Sequence, residues 1–262
     1  MESQHNLLMV LAYRGTAYCG SQIQKNGITI QELLNTALEK IFCQTGLKTI
    51  FSGRTDSGVH SCCQPVNVLV ARQIPCPKVK AALNSLLPPD IRLVRATYVE
   101  PSINARFSAK SREYLYTIYL GEILPPYLKD LAWQINPKEF NFSRLKKAAA
   151  LIRGEHDFSG FCAAGSTVGH KVRKVTVSTV RKQKAPSWLG ASDKNGYLIT
   201  YRIKANGFLY HMVRNIVSAL VDVAKGTMTL AQLRQSMAGK SRQDLKSVTA
   251  PPQGLVLYKV EY

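Results

Sequence analysis

Apolar positions along this chain switch between two spacings, and the switches mark its elements. Residues 6–13 (NLLMVLAY) form a short apolar run, which predicts a strand. Over 29–44, Ile30, Leu33, Leu34, Ala37, Leu38 and Ile41 recur at helical spacing and make one apolar face. Thr29, three residues before Glu32, predicts a capping box at the start of that helix. Residues 48–52 read as a short strand and 66–72 (VNVLVAR) as an alternating, β-branched one. A helix over 77–87 begins at a proline, which the first turn tolerates, and 91–99 alternates again as a strand. Further on, strands are expected at 112–120, 174–182, 197–206 and the closing GLVLYKVEY, with helices at 142–154, 207–226 and 230–239. Gly154 and Gly226 are the expected helix stops.

The first hundred residues thus run β-α-β-β-α-β, the order of the split βαβ or ferredoxin-like motif. The rest repeats the theme in element order, without evident sequence identity between the halves. The expected class is α+β: two ferredoxin-like halves, residues 1–105 and 106–262, with a broad antiparallel sheet and helices on one side. The boundary falls in PSINARFSAK, 101–110. Two such halves side by side leave a cleft, a common place for a site.

Charge narrows the partners. Lys and Arg total 35 against 16 Asp and Glu, a formal +19 over 262 residues. A positive field of that size attracts polyanions, nucleic acid first and an anionic membrane surface second. The basic residues are spread out, which predicts a folded basic surface instead of a disordered arm. No window approaches the ~18 apolar residues of a membrane span, and the start reads as a strand, not a signal peptide. The six cysteines include no C-x-x-C pair, so free thiols in a reducing cytoplasm are expected.

The candidate chemistry sits in FSGRTDSGVHS, 51–61. A carboxylate, Asp56, stands on a glycine-bounded loop directly after an apolar strand, where it can be exposed and fixed at once. Arg54 lies two residues before it and His60 four after. A nearby cation favours the ionised carboxylate, which suits nucleophilic attack or charge stabilisation instead of proton donation. The plainer reading is an Asx-type turn beside a solvated arginine. Tyr114 and Tyr116 share one face of a strand; that means either packing or a platform on which a base stacks. His211 and Arg214 lie three apart on the long helix, with Phe208, Met212, Ile216, Ala219 and Leu220 as its buried stripe. Arg214 at the stripe's edge either snorkels to solvent or points into a cleft. Gly154–Asp157 gathers acids around His156 at a helix end, without the second spaced ligand a metal needs.

GRTDSGVH, together with LAYRGTAYCGSQIQ, SREYLY, GEHDFSGFCA, FLYHMVRNIV and PPQGLVLYKVEY in that order, resembles the tRNA pseudouridine synthase A family over nearly the whole chain. The resemblance implies two related α/β halves, a basic active-site cleft, and a homodimer with tRNA lying across both subunits. It implies isomerisation of uridine to pseudouridine in the tRNA anticodon stem-loop, typically at positions 38–40, without metal or cofactor. Asp56 matches the motif aspartate, which attacks the uracil ring or the ribose C1′. Arg54 matches the arginine that occupies the gap left by the flipped base. Tyr114 matches the tyrosine that packs on the uracil, and Arg214 the helix arginine that pairs with the aspartate. The chain departs from the family at Ser21, where a tryptophan is usual, and at Arg14, where an acid is usual. Those departures are expected to alter packing and the RNA contact near the first turn, not catalysis.

Three other readings compete. A non-catalytic RNA-binding module would carry the same fold and charge but has no use for Asp56 beside Arg54. A thiol or metal enzyme would use Cys62, Cys63 and His60. A synthase of the same family would act on another RNA.

Overall fold

The computed structural model of the protein describes residues 4–163, 165, 169–189, 196–238 and 247–262. The chain divides into two compact units, residues 1–110 with 256–262, and residues 111–255. Both mix strands and helices, and the class is α+β.

The first unit contains β1 (His5–Tyr13), α1 (Ile30–Phe42), β2 (Ile50–Phe51), β3 (His60–Val70), α2 (Cys76–Leu86), β4 (Ile91–Val99) and β10 (Leu255–Glu261), numbered in chain order. β1 lies between β4 and β3 and is antiparallel to both. The other edge of β3 carries β2, through Ile50↔Asn67 and Phe51↔Val66, and, nearer its start, β10 in parallel, through Val256↔His60 and Leu257↔Ser61. The register pairs Leu7 with Val68 and Met9 with Val66, so alternate apolar residues of neighbouring strands gather on one face. Leu34, Leu38 and Phe42 of α1 and Val79 and Leu83 of α2 pack with that face in a single core. The Thr29 hydroxyl accepts a hydrogen bond from the Glu32 N–H, a cap of about 1 kcal/mol. On the opposite face, Asn6 and Asn67 are buried and bonded to each other and to the segment 100–105.

The second unit contains β5 (Ser111–Leu120), β6 (Trp133–Ile135), α3 (Phe142–Ile152), β7 (Gly154–Asp157), β8 (Val172–Lys184), β9 (Tyr197–Ala205), α4 (Met212–Lys225) and α5 (Leu230–Ala238). Its strand order is β6–β5–β9–β8–β7, antiparallel except for β6 on β5. The buried Ser178 hydroxyl joins β8 to α3 by donating to the Ala149 carbonyl at 2.7 Å, and it also meets the Tyr201 hydroxyl at 2.8 Å.

Several sequence boundaries move. β3 begins at His60, so the end of the GRTDSGVH motif is already strand. The third helix stops at Ile152, and Gly154 opens β7 instead of ending the helix. Residues 207–211 are not helical: α4 starts at Met212, with His211 as its N-cap at φ +59, a left-handed conformation that interrupts any helix arriving from Gly207. β6 and β7 are too short to leave a periodic signal, and sequence reading missed both. Gly239, the expected last residue of the final helix, lies outside the described residues. The closing strand groups with the first unit, although it follows the second in the chain.

Candidate active site

Asp56 sits on the loop between β2 and β3, and nearly every neighbour of Asp56 is tied down. Thr55 is buried and uses all three of its polar groups. Its N–H donates to the Ser21 hydroxyl at 2.8 Å, its carbonyl accepts from the Ser21 N–H at 3.1 Å, and its hydroxyl shares a 2.8 Å hydrogen bond with the Tyr13 hydroxyl. On the other side, the Val59 N–H donates to the Asp56 carbonyl at 3.1 Å, closing a turn in which Gly58 takes φ +78. The Ser57 hydroxyl donates to the Tyr18 carbonyl at 3.1 Å. Before Arg54, the wholly buried Gln64 holds the chain twice, donating to the Gly53 carbonyl at 2.7 Å and accepting from the Ser52 hydroxyl at 2.7 Å.

The loop also rests against the segment that follows β1. A Cβ on Gly15 would stand 2.0 Å from the Val59 carbonyl oxygen, so only glycine allows this approach. The Gly15 N–H donates to Nδ1 of His60 at 2.9 Å. That bond makes Nδ1 an acceptor, which assigns the ring proton of a neutral imidazole to Nε2. His60 is therefore a buried support for the loop. Against this fixed backbone, Asp56 is half-buried and Arg54 exposed.

In the second unit, Tyr114 lies on β5 opposite Ile203, 7% exposed, with its ring edge-on to Phe208 at 5.1 Å. Tyr116, on the same face, is no platform: it is fully buried, edge-on to Trp133, and its hydroxyl donates to the Pro251 carbonyl at 2.7 Å. Burial pushes that phenol well above its ordinary range, against the opposing pull of the Arg214 charge. Arg214 is half-buried in the first turn of α4 and donates from Nε to the Ala250 carbonyl at 2.7 Å. Its neighbour Asn215 is fully buried between the Phe161 carbonyl, to which Nδ2 donates, and the Thr249 hydroxyl, from which Oδ1 accepts, each at 2.8 Å. Tyr116 and Arg214 thus converge on residues 250–251.

Sequence reading missed Tyr13, Ser21 and Gln64 as supports of the loop, and the role of 249–251 in seating Arg214. Gln64 left a signal: with Asn67 it is one of two amides in the apolar strand CCQPVNVLV, where burial demands partners. Of the acids around His156, Asp157 is occupied locally, accepting from the Ser159 N–H at 2.8 Å and its hydroxyl at 2.6 Å. Among the described residues no group of three His, Cys, Asp or Glu is placed to hold a metal ion, and no helix is long and apolar enough to cross a membrane.

The sequence profile described as tRNA pseudouridine synthase matches residues 9–108 and 148–262. Proteins named tRNA pseudouridine synthase A are similar along almost their whole length. The one from Thermoanaerobacter sp. (strain X514) is 39% identical over 98% of this chain and 99% of its own. That of Shouchella clausii is 38% identical over 96% and 91%, and that of Moorella thermoacetica 35% over 98% and 99%. Among solved structures, the archaeal box H/ACA sRNP Nop10–Cbf5 complex covers 82% of this chain and 43% of the matched chain at 10% identity and TM-score 0.32, too slight a likeness to carry an inference. A profile match across both units and relatives aligned from end to end place this chain in the tRNA pseudouridine synthase family.

Proposed function

We propose that the protein converts uridine to pseudouridine in the tRNA anticodon stem-loop, at positions 38–40, with Asp56 as the nucleophile. The observation that carries this is the mounting of Asp56: a half-exposed carboxylate between neighbours whose backbone and hydroxyl groups are held by buried partners. Such a carboxylate can meet a substrate without a large ordering cost, which is how positioning lowers a barrier.

The reaction is an isomerisation and needs no redox partner. Asp56 adds to the uracil ring or to the ribose C1′, and the C1′–N1 bond breaks. The base turns, and C5 bonds to C1′. C5 gives up its hydrogen as a proton, N1 gains one, and the carboxylate is released. The target must first leave the stack, at a cost of a few kcal/mol. The exposed Arg54 fills the space it vacates. Tyr114 packs on the extruded uracil, and Arg214 pairs with Asp56, keeping it ionised and oriented.

In this reading the chain comprises ferredoxin-like halves and a basic active-site cleft, with Asp56 and Arg54 drawn from residues 1–105 and Tyr114 and Arg214 from residues 106–262. The +19 charge supports tRNA as the partner through phosphate neutralisation. The protein works as a homodimer in the cytoplasm with no cofactor; sedimentation of the free protein tests the dimer.

The test is release of tritium from tRNA labelled at uracil C5, with Asp56→Asn alongside. Release by the wild type and none by the variant supports both the reaction and its nucleophile. Tight, salt-sensitive tRNA binding without release from either protein would move the reading to a non-catalytic RNA-binding module or to another RNA substrate.

A further inference from the structure

We infer that Ser21 and Tyr13 are positioning residues for Asp56, fixing its orientation by clamping Thr55 from two sides. The inference rests on the assignment of Asp56 as nucleophile. Ser21 is fully buried and bridges two places. Its carbonyl accepts from the Gln31 N–H at 3.0 Å in the first turn of α1, while its own N–H and hydroxyl take both backbone groups of Thr55. The peptides on both sides of Thr55, the second of them entering Asp56, are therefore tied through Ser21 to a helix of the core. Tyr13, at the end of β1, holds the Thr55 side chain and in turn receives a 3.4 Å hydrogen bond from Gln64. Gly20 completes the fit: at φ +87, a Cβ there would lie 2.8 Å from the Thr55 carbonyl oxygen.

Ser21 contributes something that the residue usual at this position in the family does not. An indole N–H only donates, whereas the Thr55 N–H requires an acceptor, and a serine hydroxyl accepts. The departure from the family pattern therefore falls one residue from the nucleophile instead of on a remote surface. Removing the hydroxyl leaves the buried Thr55 N–H without a partner and lets the Arg54–Thr55 peptide turn, so that Thr55 hangs on its carbonyl and side chain alone and Asp56 shifts with it. A misplacement of about 1 Å at a reacting group lowers rate by as much as a hundredfold. Substrate binding, spread over many phosphate contacts, is barely touched.

The experiment is single-turnover tritium release at saturating tRNA, with tRNA affinity measured separately, for wild type, Ser21→Ala, Ser21→Thr and Tyr13→Phe. Ser21→Ala is expected to lower the single-turnover rate constant at least tenfold with less than a twofold change in affinity. Ser21→Thr, which keeps the acceptor, should restore most of the rate. Tyr13→Phe should slow the reaction in the same way. A Ser21→Ala enzyme with wild-type rate, or one whose loss lies wholly in affinity, overturns the inference. If Ser21→Ala does not fold, Tyr13→Phe decides: a rate within twofold of wild type overturns the inference, and a tenfold loss at unchanged affinity supports it. Absence of release from the wild type would instead sink the functional assignment, so the two failures read differently.

Discussion

Replacing Asn67 with leucine isolates one buried polar network and gives a numerical expectation. Asn67 is 4% exposed, on the face of β3 away from the helices. Its Nδ2 donates to Asn6 Oδ1 at 3.1 Å, and its Oδ1 accepts from the Ala105 N–H at 2.9 Å. Asn6 in turn donates to the carbonyls of Glu100 at 3.0 Å and Ile103 at 2.8 Å. Leucine is similar in size, so little cavity forms. What remains is a fully buried Ala105 N–H with no acceptor and an Asn6 oxygen that has lost a donor. A stranded buried donor costs about 1–3 kcal/mol, and the added apolar burial offsets part, leaving about 2 kcal/mol. The assay is native-state hydrogen exchange at the Ala105 amide. It should speed up about thirtyfold, since each 1.4 kcal/mol is a factor of ten. Asn6→Leu should cost a similar amount: the carbonyls it frees belong to an exposed and a half-buried residue and can hydrate, but the buried Asn67 Nδ2 loses its acceptor. The double variant should fall short of the sum by about 1 kcal/mol, the shared amide–amide bond being lost once. Exchange at Ala105 within threefold of wild type in Asn67→Leu, or strict additivity, would refute the account.

Two further outcomes follow from the same physics. Arg202→Met should destabilise the second unit by about 2 kcal/mol in urea unfolding, because it strands Glu113, which is 2% exposed and held by Arg202 at 2.5 and 3.1 Å; adding Glu113→Gln should recover part of the loss, and no recovery would count against a charge effect. Alkaline titration should show late tyrosines: burial raises Tyr13 to about 12 and pushes Tyr116 and Tyr201 further up, so the folded state holds protons that the unfolded chain releases near 10. The contribution of these tyrosines to stability should therefore be flat below about pH 9 and fall above it, Tyr13 alone accounting for roughly 2 kcal/mol by pH 12; all tyrosines titrating together near pH 10 in the folded protein would contradict this.

Much of the fold was legible because core strands and helices advertise themselves by spacing. Leu7, Met9 and Leu11 alternate along β1, and Ile30, Leu34 and Leu38 repeat along α1, since burial on one face permits little else. Legibility failed where conformation is set locally. His211 carries no pattern that announces a left-handed backbone, so the long helix was read five residues too early. β6, three residues long, has no period to detect. The candidate site divided in the same way. Asp56 and Arg54 stood out through unusual chemistry in a loop. Spacing singled out Tyr114 and Arg214 but left their roles open, and only the family resemblance favoured a role in the site, because in sequence a buried tyrosine and a helix arginine also look like packing and solvation. Ser21 and Gln64 act through hydrogen bonds to residues tens of positions away, which no local pattern encodes.

The placement of β10 has a consequence for how the protein is made. A ribosome delivers the chain from one end, at about 5–20 residues per second, and domains ordinarily complete themselves in that order. Here the first unit cannot do so: residues 256–262 emerge only after Ser111–Leu255 has been synthesised. For roughly ten seconds the nascent chain has β3 without its parallel partner at His60 and Ser61, immediately after the loop that bears Asp56. The nascent polypeptide thus carries an open strand edge, on which another extended polypeptide segment can pair. Maturation of that region waits on residues 256–262, which follow the whole of the second unit in the chain.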